Sequence, residues 1–128
     1  MRKSLALQAQ MATEAGRPMF DVTLDLEDGA PVGGEHEHAL LVSELLCGPE
    51  SRTWGRVGTR VHDVHHARFE DDIDTLVAKA GAHLAYVMVP KLLDAEDARR
   101  AVAAVRSAQP GEPRRWPGAG AARGALPR

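Results

Sequence analysis

Three short runs of β-forming residues alternate with longer helical patterns, and this alternation constrains the fold more than any other feature of the chain. The runs span residues 19–26, 57–62 and 84–89. Parallel strands need a crossover, usually a helix, to return the chain to the same end of a sheet. The sequence therefore predicts an α/β fold with about three parallel strands.

The first and third runs predict strands in different surroundings. The first run alternates apolar and polar residues, which is the two-residue period of a strand with one apolar face. The apolar face carries Phe20, Val22, Leu24 and Leu26, and the polar face carries Asp21, Thr23, Asp25 and Glu27. The third run is nearly all apolar, which is typical of a strand that is covered on both faces.

Four helices are predicted around these strands. The clearest covers Phe69 to Ala80, where apolar residues recur at offsets of 4, 7, 8 and 11 and form one stripe. The others cover Lys3 to Ala15, Glu35 to Leu46, and Asp94 to about Ser107, with Asp94 as a suitable N-cap. The residues of these three that are expected to face the core are Leu5, Ala9, Ala12, Ala39, Val42, Leu45, Leu46, Ala98, Val102 and Val105.

The end of the chain has a different composition. Residues 108–128 contain four Pro and four Gly, a fraction at which aperiodic segments usually stay disordered. With four Arg and five Ala, 17 of these 21 residues have codons that begin with two G or C bases. A shifted reading frame in GC-rich DNA would encode such a segment, and a natural flexible tail is the alternative. We predict an α/β domain over residues 1–107 and a disordered tail over 108–128.

The composition argues against several classes of function. A formal net charge of −2 gives no basic field that would recruit nucleic acid or an anionic membrane. The apolar stretches are far shorter than the roughly 20 residues that span a bilayer. Cys47 is the only cysteine, so an internal disulfide is excluded and a small core residue is its simplest interpretation. We therefore expect a cytoplasmic protein with neither a nucleic-acid nor a membrane partner.

Charged residues lie at the end of each predicted strand. Asp25, Glu27 and Asp28 end the first strand, Arg60 lies in the second, and Lys91 follows the third. The carboxyl ends of parallel strands meet at one edge of a sheet, and in βα-barrels this edge holds the active site. Buried carboxylates also need cationic or hydrogen-bonding partners. The sequence thus predicts that the acids, Arg60 and Lys91 cluster at one end of the sheet.

These strand ends resemble those of a known family. Asp-Leu-Glu-Asp at residues 25–28, Arg-Val at 60–61 and Val-Pro-Lys at 89–91 occur in the order found in the HpcH/HpaI aldolase and citrate lyase β-subunit family. The resemblance covers about residues 3–106. It implies a partial (β/α)8 TIM barrel and a carbon–carbon lyase that acts on 3-hydroxy acids or their coenzyme A thioesters. Malyl-, citramalyl- and citryl-type substrates and a Mg²⁺ cofactor are usual in that family.

The resemblance also implies roles for single residues. It makes Arg60 the group that binds a substrate carboxylate or thioester carbonyl, and a planar guanidinium suits a carboxylate well. Glu27 and Asp28 resemble the acidic pair that orders the active site, so these three are the candidate catalytic residues. Asp25 and Lys91 are candidates for substrate binding. The alternatives are a structural salt bridge for Arg60, a solvated turn for the acidic pair and a rim ion pair for Lys91.

Two loops admit more than one interpretation. The backbone N–H groups of Gly33 and Gly34, before a helix, either bind a phosphate of coenzyme A or belong to a plain turn. Where family members commonly continue Arg-Val with Asn, this chain has His62, and His65 and His66 follow. A zinc site on these histidines is disfavoured, and their role stays open.

The resemblance does not extend to a whole enzyme. A closed barrel needs eight strands and about 250 residues, and the Mg²⁺-binding acids of the family lie on strands after the one that ends in Pro-Lys. We therefore predict no metal ligand in this chain and expect a truncated N-terminal fragment, inactive alone, of a homo-oligomeric lyase. The alternative is a small non-catalytic α/β module that binds or interacts with another molecule.

Overall fold

Helices and strands alternate along the chain, which the computed structural model describes over residues 1–109. The prediction of a disordered tail falls, from residue 110 onward, outside the described residues. Within residues 1–109, no helix is both long and apolar enough to cross a membrane. The elements are α1 Arg2–Ala15, β1 Val22–Asp25, α2 Glu35–Cys47, α3 Pro49–Trp54, β2 Val57–Arg60, α4 Phe69–Ala80, a 3₁₀ turn Gly81–His83, β3 Val87–Met88 and α5 Ala95–Ala108.

The three strands form one parallel sheet in the order β1-β2-β3. Asp25 is in register with Arg60, and Arg60 with Met88. The backbone N–H of Leu26 still donates to the carbonyl of Arg60 at 2.8 Å, so the pairing continues just past β1. The carboxyl ends of all three strands therefore lie together, at what we call the strand-end edge. The α/β fold with three parallel strands is confirmed.

The core lies between the sheet and the helices α2 and α4. Leu24 and Val57 from the sheet, and Phe69 from α4, are at most 1% exposed and belong to one apolar cluster. Every residue of the stripe predicted for α4 is buried, as are the four predicted for α2. Each fully buried large apolar side chain contributes about 1.5–3 kcal/mol relative to an exposed one. The helical period of the sequence therefore identified this part of the core correctly.

Helix α1 lies against the ends of the strands opposite to the strand-end edge. The side chain of Gln8 is 2% exposed, and its Nε2 donates to the carbonyls of Phe20 and Arg56, both at 2.9 Å. Phe20 lies two residues before β1, and Arg56 lies directly before β2. Gln8 thus joins the segments that lead into the two strands, and the carbonyl of Arg56 also accepts the N–H of Val22 at 3.2 Å. It takes the buried position that we had expected for Ala9, which is only half-buried.

Several element boundaries differ from the prediction. The sequence predicted six-residue or longer strands, whereas β3 has two residues, and Met88 is 47% exposed. The expectation that this strand is covered on both faces is wrong for the described residues, because β3 is the edge of the sheet and pairs only with β2. Phe20 lies before β1 and is 36% exposed rather than in the core. The short helix α3 was not predicted.

The first turn of α5 also differs in detail. Asp94 is the N-cap, as predicted, and accepts the N–H of Asp97 at 2.9 Å. Asp97 and Ala101 are the buried residues, whereas Ala98 and Val102 are only half-buried. The Asp97 carboxylate accepts the N–H of Leu93 at 2.9 Å, which holds this side of the helix inward.

Replacing Gln8 by Leu should lower the free energy of unfolding by about 1–3 kcal/mol, because the partly buried carbonyls of Phe20 and Arg56 each lose a hydrogen bond from Gln8. Urea denaturation measures this change. Gln10→Leu is the matched control in the same helix, since Gln10 is exposed and donates to the exposed Glu14, and its effect should stay within about 0.5 kcal/mol. Equal effects of the two substitutions would show that Gln8 does not secure α1 to the sheet.

Candidate active site

A bidentate ion pair joins the ends of β1 and β2. Arg60 Nε donates to Asp25 Oδ1 at 2.9 Å, and Arg60 Nη2 donates to Asp25 Oδ2 at 2.6 Å. The two residues are in register on neighbouring strands and lie on the same face of the sheet. The side chains are 30% and 31% exposed, so the pair is only partly screened by water. The structure therefore contains the salt bridge that was the alternative role for Arg60.

Two further carboxylates surround the same guanidinium. Arg60 Nη2 also donates to Asp28 Oδ2 at 3.2 Å, and Arg60 Nη1 lies 3.5 Å from Glu27 Oε1. The Glu27 side chain is only 8% exposed, whereas that of Asp28 is 76% exposed. Glu27 is therefore the buried member of the acidic pair and Asp28 its exposed member.

Lys91 completes the cluster from the end of β3. Its Nζ lies 3.0 Å from Glu27 Oε2, an oxygen with no hydrogen bond of good geometry in the described chain. The backbone of Lys91 has φ 58°, a left-handed conformation that costs a non-glycine residue roughly 1–2 kcal/mol. The predicted clustering of Asp25, Glu27, Arg60 and Lys91 at one end of the parallel sheet is confirmed.

The charges of the cluster shift the pKa values of its members. Hydrogen bonding to Arg60 lowers the pKa of Asp25 below its ordinary 3.8, and partial burial opposes this shift. The same hydrogen bonds raise the pKa of Arg60 further above its usual value. The ion pair with Glu27 raises the pKa of Lys91. Arg60 and Lys91 are thus fixed cations near neutral pH.

The turn that follows β1 holds the acidic residues in place. Asp25 Oδ1 accepts the N–H of Glu27 at 2.9 Å, and His38 Nε2 of α2 donates to the carbonyl of Asp25 at 2.9 Å. A Cβ on Gly29 would lie 2.7 Å from that same carbonyl oxygen. Only glycine therefore allows the chain to turn this closely over the end of β1.

The loop before α2 uses its backbone N–H groups internally. Gly33 N–H donates to Glu35 Oε1 at 2.7 Å, and Gly34 N–H donates to the carbonyl of Pro31 at 2.9 Å. Hydrogen bonding from its own backbone N–H, together with this bond from Gly33, lowers the pKa of Glu35. A phosphate of coenzyme A would have to displace a carboxylate here. The phosphate site at Gly33 and Gly34 stays a prediction, and this geometry favours the plain turn.

A second layer of side chains lies below the cluster on the same face. Tyr86 lies across Gly58 so closely that a Cβ there would be 2.4 Å from the aromatic ring. Its hydroxyl is hydrogen-bonded to Thr23 Oγ1 of β1. Thr23 and Gly58 are in register, two residues before Asp25 and Arg60. One aromatic ring thus covers this face of β2 directly beneath Arg60.

The histidines after β2 contact acidic residues of two helices. His62 is 5% exposed, and its Nδ1 lies 2.6 Å from Asp72 Oδ2 of α4. His65 Nε2 lies 2.9 Å from Asp97 Oδ1 of α5. The ring of His66 stacks on that of His62, with centroids 4.2 Å apart. Across the described residues, no group of three or more His, Cys, Asp or Glu is arranged to hold a metal ion.

Sequence reasoning missed the pairing of His62 with Asp72. Asp72 lies three residues after Phe69 and three or four before Thr75 and Leu76, so it belongs to the buried face of α4. A charged residue on an otherwise apolar stripe needs a partner. The position of Asp72 on this stripe therefore indicated a buried partner, but the sequence did not identify His62 as that partner.

Asp25→Asn should destabilise the chain by about 1 kcal/mol near neutral pH, because the ion pair with Arg60 is lost. Folding lowers the pKa of Asp25, so its contribution to stability is present above its ordinary pKa of 3.8 and is lost as pH falls through the lower folded value. The difference between wild type and variant should therefore shrink below about pH 4. Urea denaturation of both proteins at a series of pH values between about 2.5 and 7 measures this difference in stability.

Asp21→Asn is the control for this experiment. Asp21 forms an exposed ion pair with Arg56 at the opposite end of the same two strands, so its loss should change stability by less than about 0.5 kcal/mol near neutral pH. An Asp25→Asn difference that stays constant down to the lowest pH would contradict the role given to the Asp25 carboxylate.

One solved structure relates this geometry to a known protein. The chain is 42% identical to a citrate lyase from Burkholderia xenovorans LB400, whose crystal structure was determined at 2.24 Å, and the TM-score is 0.75. The match covers 87% of this chain and 34% of that one, so this chain spans about a third of the length of the citrate lyase. No protein-family model and no curated protein matches the chain.

Similarity at this level in both sequence and fold confirms the resemblance carried by residues 25–28, 60–61 and 89–91. Over a stretch equal to about a third of the solved protein, the chain is therefore similar to a citrate lyase in both sequence and fold, as its strand-end motifs indicate.

Proposed function

We propose that this chain carries the substrate-carboxylate-binding part of a carbon–carbon lyase that acts on 3-hydroxy acids or their coenzyme A thioesters. The observation that carries the proposal is the position of Arg60, at the strand-end edge of a citrate lyase-type sheet and oriented by Asp25. Malyl-, citramalyl- and citryl-type substrates share a carboxylate near the bond that breaks. A fixed guanidinium recognises that group by paired hydrogen bonds.

The contacts of Arg60 suggest which of its edges would meet a substrate. Asp25 occupies the edge formed by Nε and Nη2, whereas Nη1 lies 3.5 Å from Glu27, beyond a short hydrogen bond. A substrate carboxylate would bind at Nη1, in competition with Glu27. Because Lys91 neutralises Glu27 from its other oxygen, the site would accept an anion at a smaller electrostatic cost. Arg60 and Glu27 would then act on the substrate, with Asp25 as the residue that positions Arg60.

Mg²⁺, which the resemblance implies, does not fit the residues present here. The carboxylates of Asp25 and Glu27 are already neutralised by Arg60 and Lys91, and a hard cation requires oxygen ligands that are free to coordinate it. We therefore assign the metal no ligand in the described chain and derive no step through it. A coenzyme A thioester, a homo-oligomeric full-length form and a cytoplasmic location remain part of the proposal, on the resemblance alone.

The free side of β3 supports a larger barrel of which this sheet is one part. In β3, the side chain of Met88 is 47% exposed. Just after β3, Leu92 is 44% exposed and Leu93 is 79% exposed. An unpaired strand edge with exposed apolar side chains is a liability in a soluble protein. A further parallel strand beside β3 would cover it, as in a (β/α)8 barrel. The alternative, a self-contained binding module, would leave this edge open.

Arg60→Lys should weaken binding of malate to the chain at least about tenfold, equal to about 1.4 kcal/mol, because a lysine keeps the charge but loses the paired donors. Heteronuclear NMR, following the backbone amide signals of the strand-end edge during a malate titration, measures it in both proteins. Arg56→Lys is the matched control, since Arg56 precedes the same strand and pairs with Asp21 at the far end. Equal binding by both variants, or none by the wild type, would contradict the proposal.

The 128-residue chain itself should show no lyase turnover on malyl- or citramalyl-type thioesters with Mg²⁺. Cleavage leaves an enolate, whose charge needs a cation or donors placed to receive it, and both cations of the strand-end edge are already engaged by carboxylates. A coupled assay for the released thioester product measures this. Metal-dependent turnover that Arg60→Ala abolishes, in protein free of other lyases, would refute it.

A further inference from the structure

We infer that His62, held by Asp72, is the proton acceptor of the candidate site. The inference rests on the lyase function proposed above and names a residue for its proton-transfer step. It uses the buried pair His62–Asp72, which the substrate-binding cluster leaves without a role. His62 lies two residues beyond Arg60, where the chain leaves the strand-end edge.

The hydrogen bonds fix the tautomer of the imidazole. Asp72 Oδ2 accepts the backbone N–H of His62 at 3.0 Å and lies 2.6 Å from His62 Nδ1. An ionised carboxylate can only accept hydrogen bonds, so Nδ1 must carry the proton and donate. When the ring is neutral, its lone pair is therefore on Nε2. This is the arrangement by which a buried aspartate orients a histidine that acts as a base.

The carboxylate of Asp72 is buried with His62 as its partner. Asp72 is fully buried, and its Oδ1 has no hydrogen-bond partner in the described chain. No lysine or arginine within residues 1–109 forms an ion pair with it, and its side-chain partner in that part of the chain is His62. A buried carboxylate without a counter-charge is costly. Asp72 is therefore placed to stabilise the imidazolium that forms while His62 carries a proton from the substrate.

His62 Nε2, the nitrogen that would accept the proton, is fixed in position and remains accessible. His62 Nε2 has no partner among residues 1–109, and it is not among the inaccessible polar atoms there that lack one. The ring of His66 stacks on His62 and restricts its rotation. His65 anchors the same loop to Asp97 of α5 at 2.9 Å. Nε2 is therefore the one edge of the ring that is both fixed and available.

The step is balanced in protons and electrons. The hydroxyl proton on C3 of the substrate moves to His62 Nε2, and a carbonyl forms at C3. The bond between C2 and C3 breaks, and its electron pair remains on C2 as the enolate of the acyl product. His62 then returns the proton to C2. Asp72 keeps its charge throughout and stabilises the imidazolium that forms in between.

The test is the tautomer of His62, read from long-range ¹H–¹⁵N spectra of the histidine-labelled chain at about pH 8, where imidazoles are mostly neutral. His62→Asn identifies the signals by their loss. We expect the Nδ1–H pattern in the wild type and its loss in Asp72→Asn, with the fold monitored by amide spectra. His66→Asn should keep the Nδ1–H pattern. An Nε2–H pattern in the wild type, or one that Asp72→Asn leaves unchanged, would overturn the inference.

A malate titration of the same sample separates this inference from the proposed function. We expect His62 Nε2 to shift together with Arg60 Nε–H, and the shift of Arg60 to persist in His62→Asn. If Arg60 responds and His62 does not, the lyase proposal stands and the inference fails. If neither responds although the Nδ1–H tautomer is present, the proposed function fails, and with it the role of His62 in that reaction.

Discussion

The bidentate contact between Arg60 and Asp25 determines where the other charged groups at the strand-end edge can lie. It joins two neighbouring strands in register, and it uses two of the donors that the guanidinium could otherwise direct elsewhere. Glu27 and Asp28 are then left with the remaining edges of Arg60, and Lys91 with the far oxygen of Glu27. Charges in this partly buried place are tolerated because each has a partner of opposite sign.

The same contact leaves the role of Arg60 dependent on what reaches Nη1. A guanidinium held on one edge by a carboxylate is pre-oriented, so less entropy is lost when it binds a second anion. A purely structural salt bridge has the same geometry on the Asp25 side. The two roles differ only at Nη1, where Glu27 lies 3.5 Å away and a substrate carboxylate would compete with it.

The histidines after β2 anchor the loop that follows this cluster. His62 and His65 connect the loop that follows Arg60 to α4 and α5 through Asp72 and Asp97. Hydrogen bonding from Leu93, aided by His65, lowers the pKa of Asp97. The loop is therefore held by charged contacts to two helices rather than by apolar packing alone, and these contacts set the direction in which His62 presents its free nitrogen.

The sequence by itself determined the elements whose causes are local. Period-2 alternation placed Asp25 on the face opposite Leu24, and the 3.6-residue period gave the bounds of α4 and its buried stripe, because both patterns depend only on neighbouring residues. Parallel topology then brought Arg60 and Lys91 to the same edge.

Only the tertiary structure decided which residues meet across long separations. Gln8 bonds to Arg56, Tyr86 crosses Gly58 to reach Thr23, and His62 bonds to Asp72. The extent of β3 was also decided in this way, because a strand forms only where a neighbour accepts its hydrogen bonds. Partners such as these are chosen by packing in three dimensions, where shape and burial act on groups that no local pattern connects.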